Sequence, residues 1–306
     1  MIKKFFFPAL LTISIISLTI SSCSSRPNGY DFIRNKDSLD IILDRYVDEG
    51  LDPVIYARLE NLDGDVLYEH SAVNRNLLPL VDINGQTWFR IWSMSKIITI
   101  TIALDLVEDG ILDLNDPVTK YIPEFENLKV AVSKDGKVLS EIKIDDPALS
   151  ISKAMTEEAC PFKLVSTDSL MTVLHLLNHE AGFYYATTNI YCLDSLLATK
   201  NLPTAKNSQE LIDLLAEMPL IQHPGTKHFY GTNTTVLGLV AERATGKSLK
   251  QLVEERLTKP LGINGLQYGL PPHTTLLPTF SAKDTILRTA KPEELDIFGP
   301  DVPDYD

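Results

Sequence analysis

Phe89-Arg90-Ile91-Trp92-Ser93-Met94-Ser95-Lys96 is the stretch on which the reading of the fold turns. Ser93 and Lys96 are spaced i, i+3, which on a helix places both on one face. A serine alcohol is a poor nucleophile at neutral pH and needs an adjacent base. A lysine amine serves as that base when burial or a neighbouring charge lowers its pKa. The spacing alone is weak, because Ser150-Ile151-Ser152-Lys153 repeats it. Context separates the two. Behind Lys96, Ile97 to Ile102 reads Ile-Ile-Thr-Ile-Thr-Ile, a strand by local propensity. The apolar run continues through Ala103, Leu104, Leu106 and Val107 to a Gly110 stop, a length that favours a fully buried helix. Ser150 and Lys153 instead lie in a polar loop from Asp145 to Thr167. There Lys153 stays solvated and protonated, so Ser150 is rejected as nucleophile.

Working outward, Leu39, Ile42, Leu43, Tyr46 and Val47 fall at helical spacing between Asp37 and Glu49. Pro53 to Leu59 and Asp65 to Tyr68 read as strands joined by the turn Asn61-Leu62-Asp63-Gly64. Val130 to Ile144 reads as a hairpin around Lys134-Asp135-Gly136-Lys137. Helices follow over Ser169–Asn178, with Leu170, Val173, Leu174 and Leu177 inward, then Ser208–Met218, Thr234–Ala244 and Ser248–Leu257. The fold class is therefore α+β. From Pro271 the chain turns rich in proline and aspartate and sustains neither period.

Composition narrows the partners. The 306 residues are 44% hydrophobic and carry a formal charge of −13, which argues against nucleic acid. Lys3-Lys4, the apolar run Phe5 to Ile20 and small residues up to Cys23 read as a secretory signal, residues 1–22. The ending Ile20-Ser21-Ser22-Cys23 resembles a bacterial lipobox, which implies acylation of Cys23, a tether over 23–36 and a lipid-anchored protein of the bacterial cell envelope. Removing the signal takes 28 basic residues to 26 against 41 acidic, a charge near −15. Cys160 and Cys192 remain, either as two buried thiols or as a disulfide closing a loop of about 30 residues, worth about 3 kcal/mol.

Several blocks together resemble one family, the serine β-lactamase-related proteins: class C-like β-lactamases, D-alanyl-D-alanine peptidases and esterases of that fold. Phe89 to Lys96 is similar to its strand-to-helix junction with Ser-x-x-Lys. Leu106 to Val118 is similar to its helix end and Asp-Pro turn, and Tyr121-Ile122-Pro123-Glu124-Phe125 follows. His175-Leu176-Leu177-Asn178-His179-Glu180-Ala181-Gly182 resembles its His-Leu-Leu-x-His-x-Ser-Gly block. Pro224-Gly225-Thr226-Lys227-His228-Phe229-Tyr230-Gly231 resembles its second catalytic motif, and Leu237-Gly238, Thr245-Gly246 and Pro260-Leu261-Gly262 complete the series. The resemblance implies a β-lactamase/transpeptidase-like fold over 37–272, an antiparallel sheet flanked by helices plus a mainly helical domain. It implies Ser93 as acyl-accepting nucleophile, Lys96 as its base, Tyr230 as proton relay with a pKa depressed by the nearby ammonium, and the Ser93 amide as half of the oxyanion hole. It implies small acyl substrates (ester, β-lactam or peptidoglycan-like peptide) and neither cofactor nor metal.

Two departures stand against the pattern. Thr232 occupies the position of the Tyr-x-Asn asparagine, with Asn233 one residue late, and this Tyr-Gly form reads closer to the esterases. No Lys/His-x-Gly follows Tyr230, since His273-Thr274-Thr275 lacks the glycine. The chain therefore reads as truncated before the last strands, with 273–306 a tail. Two functions stay open: a serine hydrolase acting through an acyl-enzyme, and a catalytically inactive truncated lipoprotein or binding module. His175 and His179 share a helix face as a metal pair would, but lack the glutamate placement of His-Glu-x-x-His. Trp92 reads as a packing residue at the site wall, and His223 and His228 as ordinary loop residues.

Overall fold

The computed structural model describes residues 36–141, 162–185, 188, 191–268, 276–282 and 286–290. The signal, Cys23 and the tether up to residue 35 lie outside the described residues, as do Ser150, Lys153, Cys160 and the side chain of Cys192. The backbone falls into two units, one ending at Ile83 and one beginning at Asn84. The single domain expected over 37–272 spans that division.

In the first unit, helix α1 (Lys36–Asp48) precedes strands β1 (Val54–Glu60) and β2 (Val66–Val73), which pair antiparallel with Val54 opposite Val73. Asn61 closes the turn, its Oδ1 accepting from the amides of Asp63 and Asp65 at 3.0 and 2.8 Å. Polar contacts tie α1 to β2. Tyr68 Oη donates to Asp40 Oδ1 at 2.7 Å, and His70 Nε2 lies 2.8 Å from Asp44 Oδ1. Burial, with the Asp40 carboxylate, pushes the Tyr68 phenol up to about 12. The inward stripe expected on α1 is met in part. Val47 is buried, but Leu39, Ile42 and Tyr46 are 41%, 44% and 42% exposed, because a two-stranded hairpin is too narrow to cover a helix stripe.

The second unit is built on helix α2 (Ser95–Glu108). Helix wins over the strand propensity of 97–102 because Ile102, Ala103 and Leu106 bury together at helical spacing. Thr101 Oγ1 also finds an acceptor inside the helix, the Ile97 carbonyl at 2.8 Å. Burial is not complete as expected: Ile97 is 65% exposed and Leu104 40%. Strand β3 (Lys129–Ser133) turns at residues 134–137, where the Ser133 amide donates to the Lys137 carbonyl at 2.8 Å. Its ladder partner is β4 (Phe162–Ser166), antiparallel, inside the stretch read as a polar loop. Lys163 and Leu164, on opposite faces of β4, are both exposed, so no two-residue alternation of burial announces the strand.

Helix α3 (Val173–Leu177) is shorter than expected. Thr172 caps it, and the residues before it run extended against 117–118, with the Val118 amide donating to the Met171 carbonyl at 2.8 Å. Leu170, expected inward, is therefore outside the helix and 72% exposed. Helices α4 (Tyr191–Lys200), α5 (Ser208–Ala216), α6 (Asn233–Thr245) and α7 (Leu249–Val253) follow, then a π-helical turn Glu254–Thr258 and α8 (Lys259–Leu261). The α2 residues pack with Val173 and Leu176 of α3 and with Val236, Leu237, Val240 and Ala241 of α6 in one core. Gly238 lies at that contact: a Cβ there would meet Thr99 Cγ2 of α2 at an ordinary 3.5 Å and Leu249 Cδ2 of α7 at a tighter 3.2 Å. Arg256 pins the π turn to α2 through Asp105 and Asp109 at 2.5 and 2.7 Å.

The tail read as unstructured contains a short antiparallel pair, β5 (Phe280–Ser281) with β6 (Arg288–Thr289). The Leu277 amide donates to the Trp88 carbonyl at 2.8 Å, so this segment runs beside the chain that leads into Ser93. Backbone pairing of this kind needs no periodic side-chain pattern, which is why composition alone suggested a loop. Among the described residues, no helix is long and apolar enough to cross a membrane.

Candidate active site

Ser93 lies in a 3₁₀ turn, Trp92–Met94, that runs directly into α2. Trp92 holds a left-handed backbone, φ +45°, a conformation that costs a bulky residue on the order of 1–3 kcal/mol. Ser95 Oγ fastens the turn by donating to the Trp92 carbonyl at 2.6 Å. The turn exposes Ser93, and Lys96 follows on the same face. Lys96 Nζ donates to Ser93 Oγ at 3.1 Å. From the segment before α6, the Tyr230 hydroxyl lies 2.7 Å from Ser93 Oγ. All three residues singled out in the sequence thus meet at one oxygen.

The electrostatics divide the pair unevenly. Burial works to raise the Tyr230 phenol, but hydrogen bonds from Lys96 and Ser93 and the Lys96 charge outweigh it, and the net direction is down. For Lys96, burial works to lower the pKa, but the phenol oxygens of Tyr230 and Tyr185 outweigh it, and the net direction is up. The depressed tyrosine matches the expectation. The lysine runs opposite to the lowered pKa that a base role requires, because two phenols face its ammonium. The two shifts work in the same direction, favouring an ammonium on Lys96 and easing ionisation of Tyr230.

Aromatic rings wall the site. Lys96 Nζ sits 5.0 Å from the ring centre of Tyr230 and 5.7 Å from that of Tyr185. Tyr185 is itself 5.6 Å from Tyr230, tilted at 48°. Neither Tyr185 nor the ring contact of His179 was singled out from sequence. A faint signal existed in Phe183-Tyr184-Tyr185, of which Tyr184 is buried and Tyr185 meets Lys96.

Gly231 explains the Tyr-Gly form. A Cβ there would lie 2.1 Å from the Phe183 carbonyl oxygen and 2.6 Å from Tyr184 Cα. The segment carrying Tyr185 lies directly on the backbone that follows Tyr230, and a side chain would separate them. Asn233 does not take the place of the missing Tyr-x-Asn asparagine. It is fully buried, and its Nδ2 donates to the carbonyls of Phe183 and Phe229 at 3.3 and 3.2 Å and lies 3.2 Å from His179 Nδ1.

The histidines separate. His175 belongs to the cap of α3: its Nδ1 accepts from the Thr172 amide at 3.3 Å, while its ring packs on Gly225. His179, beyond the helix, holds φ +57° and stacks on Tyr230. They do not form a pair, and among the described residues no group of three or more His, Cys, Asp or Glu is placed to hold a metal ion. His223 pairs with Asp168 at 3.1 Å, and His228 lies 5.7 Å from the His179 ring.

The profile of the Beta-lactamase family matches residues 61–285, most of the chain and every residue of this site. The chain belongs to the Beta-lactamase family. It is similar to ML-236A carboxylate methylbutanoyltransferase mlcH of Penicillium citrinum, 26% identical over 231 residues, which cover 73% of this chain and 48% of that protein. It is similar to lovastatin esterase of Penicillium rubens, 31% identical over 179 residues, 58% of this chain and 38% of that protein. Among solved structures, unliganded simvastatin synthase (LovD) from Aspergillus terreus, a selenomethionyl derivative, superposes with a TM-score of 0.61 at 20% identity, covering 86% of this chain and 62% of that one. That likeness carries the fold, which is β-lactamase/transpeptidase-like. The chain spans about half the length, or less, of these curated relatives.

Proposed function

We propose that this Beta-lactamase family member is a serine hydrolase that works through an acyl-enzyme on ester, amide or β-lactam substrates. The observation that carries this is the convergence on Ser93 Oγ of Lys96 Nζ at 3.1 Å and Tyr230 Oη at 2.7 Å. In its phenolate form, favoured by the Lys96 ammonium, Tyr230 takes the Ser93 proton as the oxygen attacks the acyl carbon. The Ser93 amide takes the role of an oxyanion-hole donor, as the family resemblance implies. Tyr230 then returns its proton to the departing alkoxide or amine, leaving the acyl group on Ser93. Water completes the hydrolysis by the same relay. This assigns the base to Tyr230 and a charge-holding role to Lys96.

Esters of small acyl groups are the preferred class, because Thr232 stands at the Tyr-x-Asn asparagine position and Asn233 is buried against Phe183 and Phe229. A second reading, acyl transfer to an alcohol, has support in the similarity to a methylbutanoyltransferase and in the exposure of Ser93. Both share one acyl-enzyme and differ in the acceptor. Turnover of a nitrophenyl ester, with and without an added alcohol, tests them. Release of nitrophenol is expected from the wild type and lost in Ser93→Ala; no release from the wild type overturns the reading. New ester formed with the alcohol marks transfer. The cell-envelope reading rests on residues 1–23. Cys23→Ala should move the protein from the membrane to the soluble fraction, and an unchanged distribution would contradict the anchor.

A further inference from the structure

His179 touches almost every residue of the segment that delivers Tyr230. Its carbonyl accepts from the Phe229 amide at 2.7 Å. Its ring stacks on the Tyr230 ring, centroids 5.0 Å apart and 28° from parallel. Its Nδ1 accepts from the Gly231 amide at 3.5 Å and lies 3.2 Å from Asn233 Nδ2. Its Nε2 lies 3.2 Å from Thr234 Oγ1. The Gly231 amide can only donate, so Nδ1 acts as the acceptor, which assigns the ring proton to Nε2, on the side of Thr234. The left-handed backbone, φ +57°, turns the ring off the end of α3 and under the phenol, a conformation that histidine adopts more readily than most residues.

The titratable groups facing this ring are Lys96 from α2 and His228 and Tyr230 from the segment before α6. Burial first, then the neighbouring His228 and Lys96, hold the imidazole below its usual range. A protonated ring would lose its acceptor role toward Gly231 and Asn233 and would set a second cation beside the Lys96 ammonium.

We infer that His179 is the positioning residue of Tyr230, a neutral imidazole that holds the phenol against Ser93 and Lys96. This rests on the reading of Tyr230 as the base. A buried histidine that merely satisfies Asn233 and Thr234 would leave the titration of Tyr230 unaltered, which makes that titration the discriminating readout.

The test is an ultraviolet difference titration of the full chain against its Tyr230→Phe counterpart, repeated in His179→Ala and in His179→Asn. The asparagine tolerates the left-handed backbone and retains an acceptor, so it guards against loss of folding. The wild-type phenol should ionise below the ordinary tyrosine range; in both variants it should return toward about 10. Where ester turnover is measurable, kcat should fall about 100-fold with KM nearly unchanged, as expected for misplacement of a reacting group. On the unaltered protein, ¹⁵N NMR should find His179 as the Nε2–H tautomer and shift its ring signals as Tyr230 ionises. A wild-type titration of Tyr230 in either folded variant, or His179 signals blind to Tyr230, overturns the inference. Coupled titrations without acylation of Ser93 would sink the catalytic reading and leave the positioning role standing.

Discussion

At the scale of single residues, the division of labour between Lys96 and Tyr230 follows from the directions in which their pKa values move. The active form pairs an ammonium with a phenolate. A tyrosine pKa below its ordinary value means that the phenolate population grows as pH rises, reaching its plateau before a free tyrosine would. A lysine pKa above its ordinary value keeps the ammonium through that plateau and loses it at higher pH. The rate of Ser93 acylation should therefore rise to a plateau below pH of about 10 and decline above the lysine range. Lys96→Met should move the rising limb to higher pH and cost roughly 10²–10⁴-fold at neutrality. An unshifted limb in that variant would return the base to another group. Ser93 and Lys96 were legible in the sequence because three residues of helix bring them together. Tyr230, 137 residues from Ser93, was legible through the block that carries it. Tyr185 and the ring of His179 were not, because each meets the site only across tertiary packing, and no local spacing encodes that.

Among the elements, two contacts deliver the site, and each has its own test. Helix α2 is held by Leu106, which is fully buried. Leu106→Ala should cost about 2–5 kcal/mol in a denaturant melt, the range for opening a cavity in a closed core. The segment 183–185 is held against residue 231 at backbone contact. Gly231→Ala has no room and should displace the Tyr185 segment, lowering kcat by about 100-fold while circular dichroism keeps its helical signal. Unchanged turnover would show that the close approach does not matter to the chemistry. Legibility at this scale followed the strength of the pattern. The run from Ile97 to Val107 was long enough to overrule its strand propensity, whereas β4 was hidden because both Lys163 and Leu164 are exposed, and α3 was overextended because Thr172 begins the helix later than the leucine spacing suggests.

For the molecule as a whole, the family is set by a match over residues 61–285, and the acidic charge of −13 sets how charged substrates arrive. A field of that sign repels anionic esters and draws cationic ones, and salt screens both effects. Between low and physiological ionic strength, kcat/KM should rise for an anionic ester and fall for a cationic one; equal salt responses would mean that the site does not feel the net charge. The architecture of the second unit followed from sequence blocks, but its division from the first unit at residues 83 and 84 did not, because no Gly/Pro/Ser-rich linker marks it. The central claim is that Ser93 accepts an acyl group under the control of Tyr230. The most direct measurement is mass-spectrometric mapping of the protein after a brief reaction with a fluorophosphonate. The adduct should fall on Ser93, vanish in Ser93→Ala and form far more slowly in Tyr230→Phe. An adduct elsewhere, or one that persists in Ser93→Ala, would contradict the account.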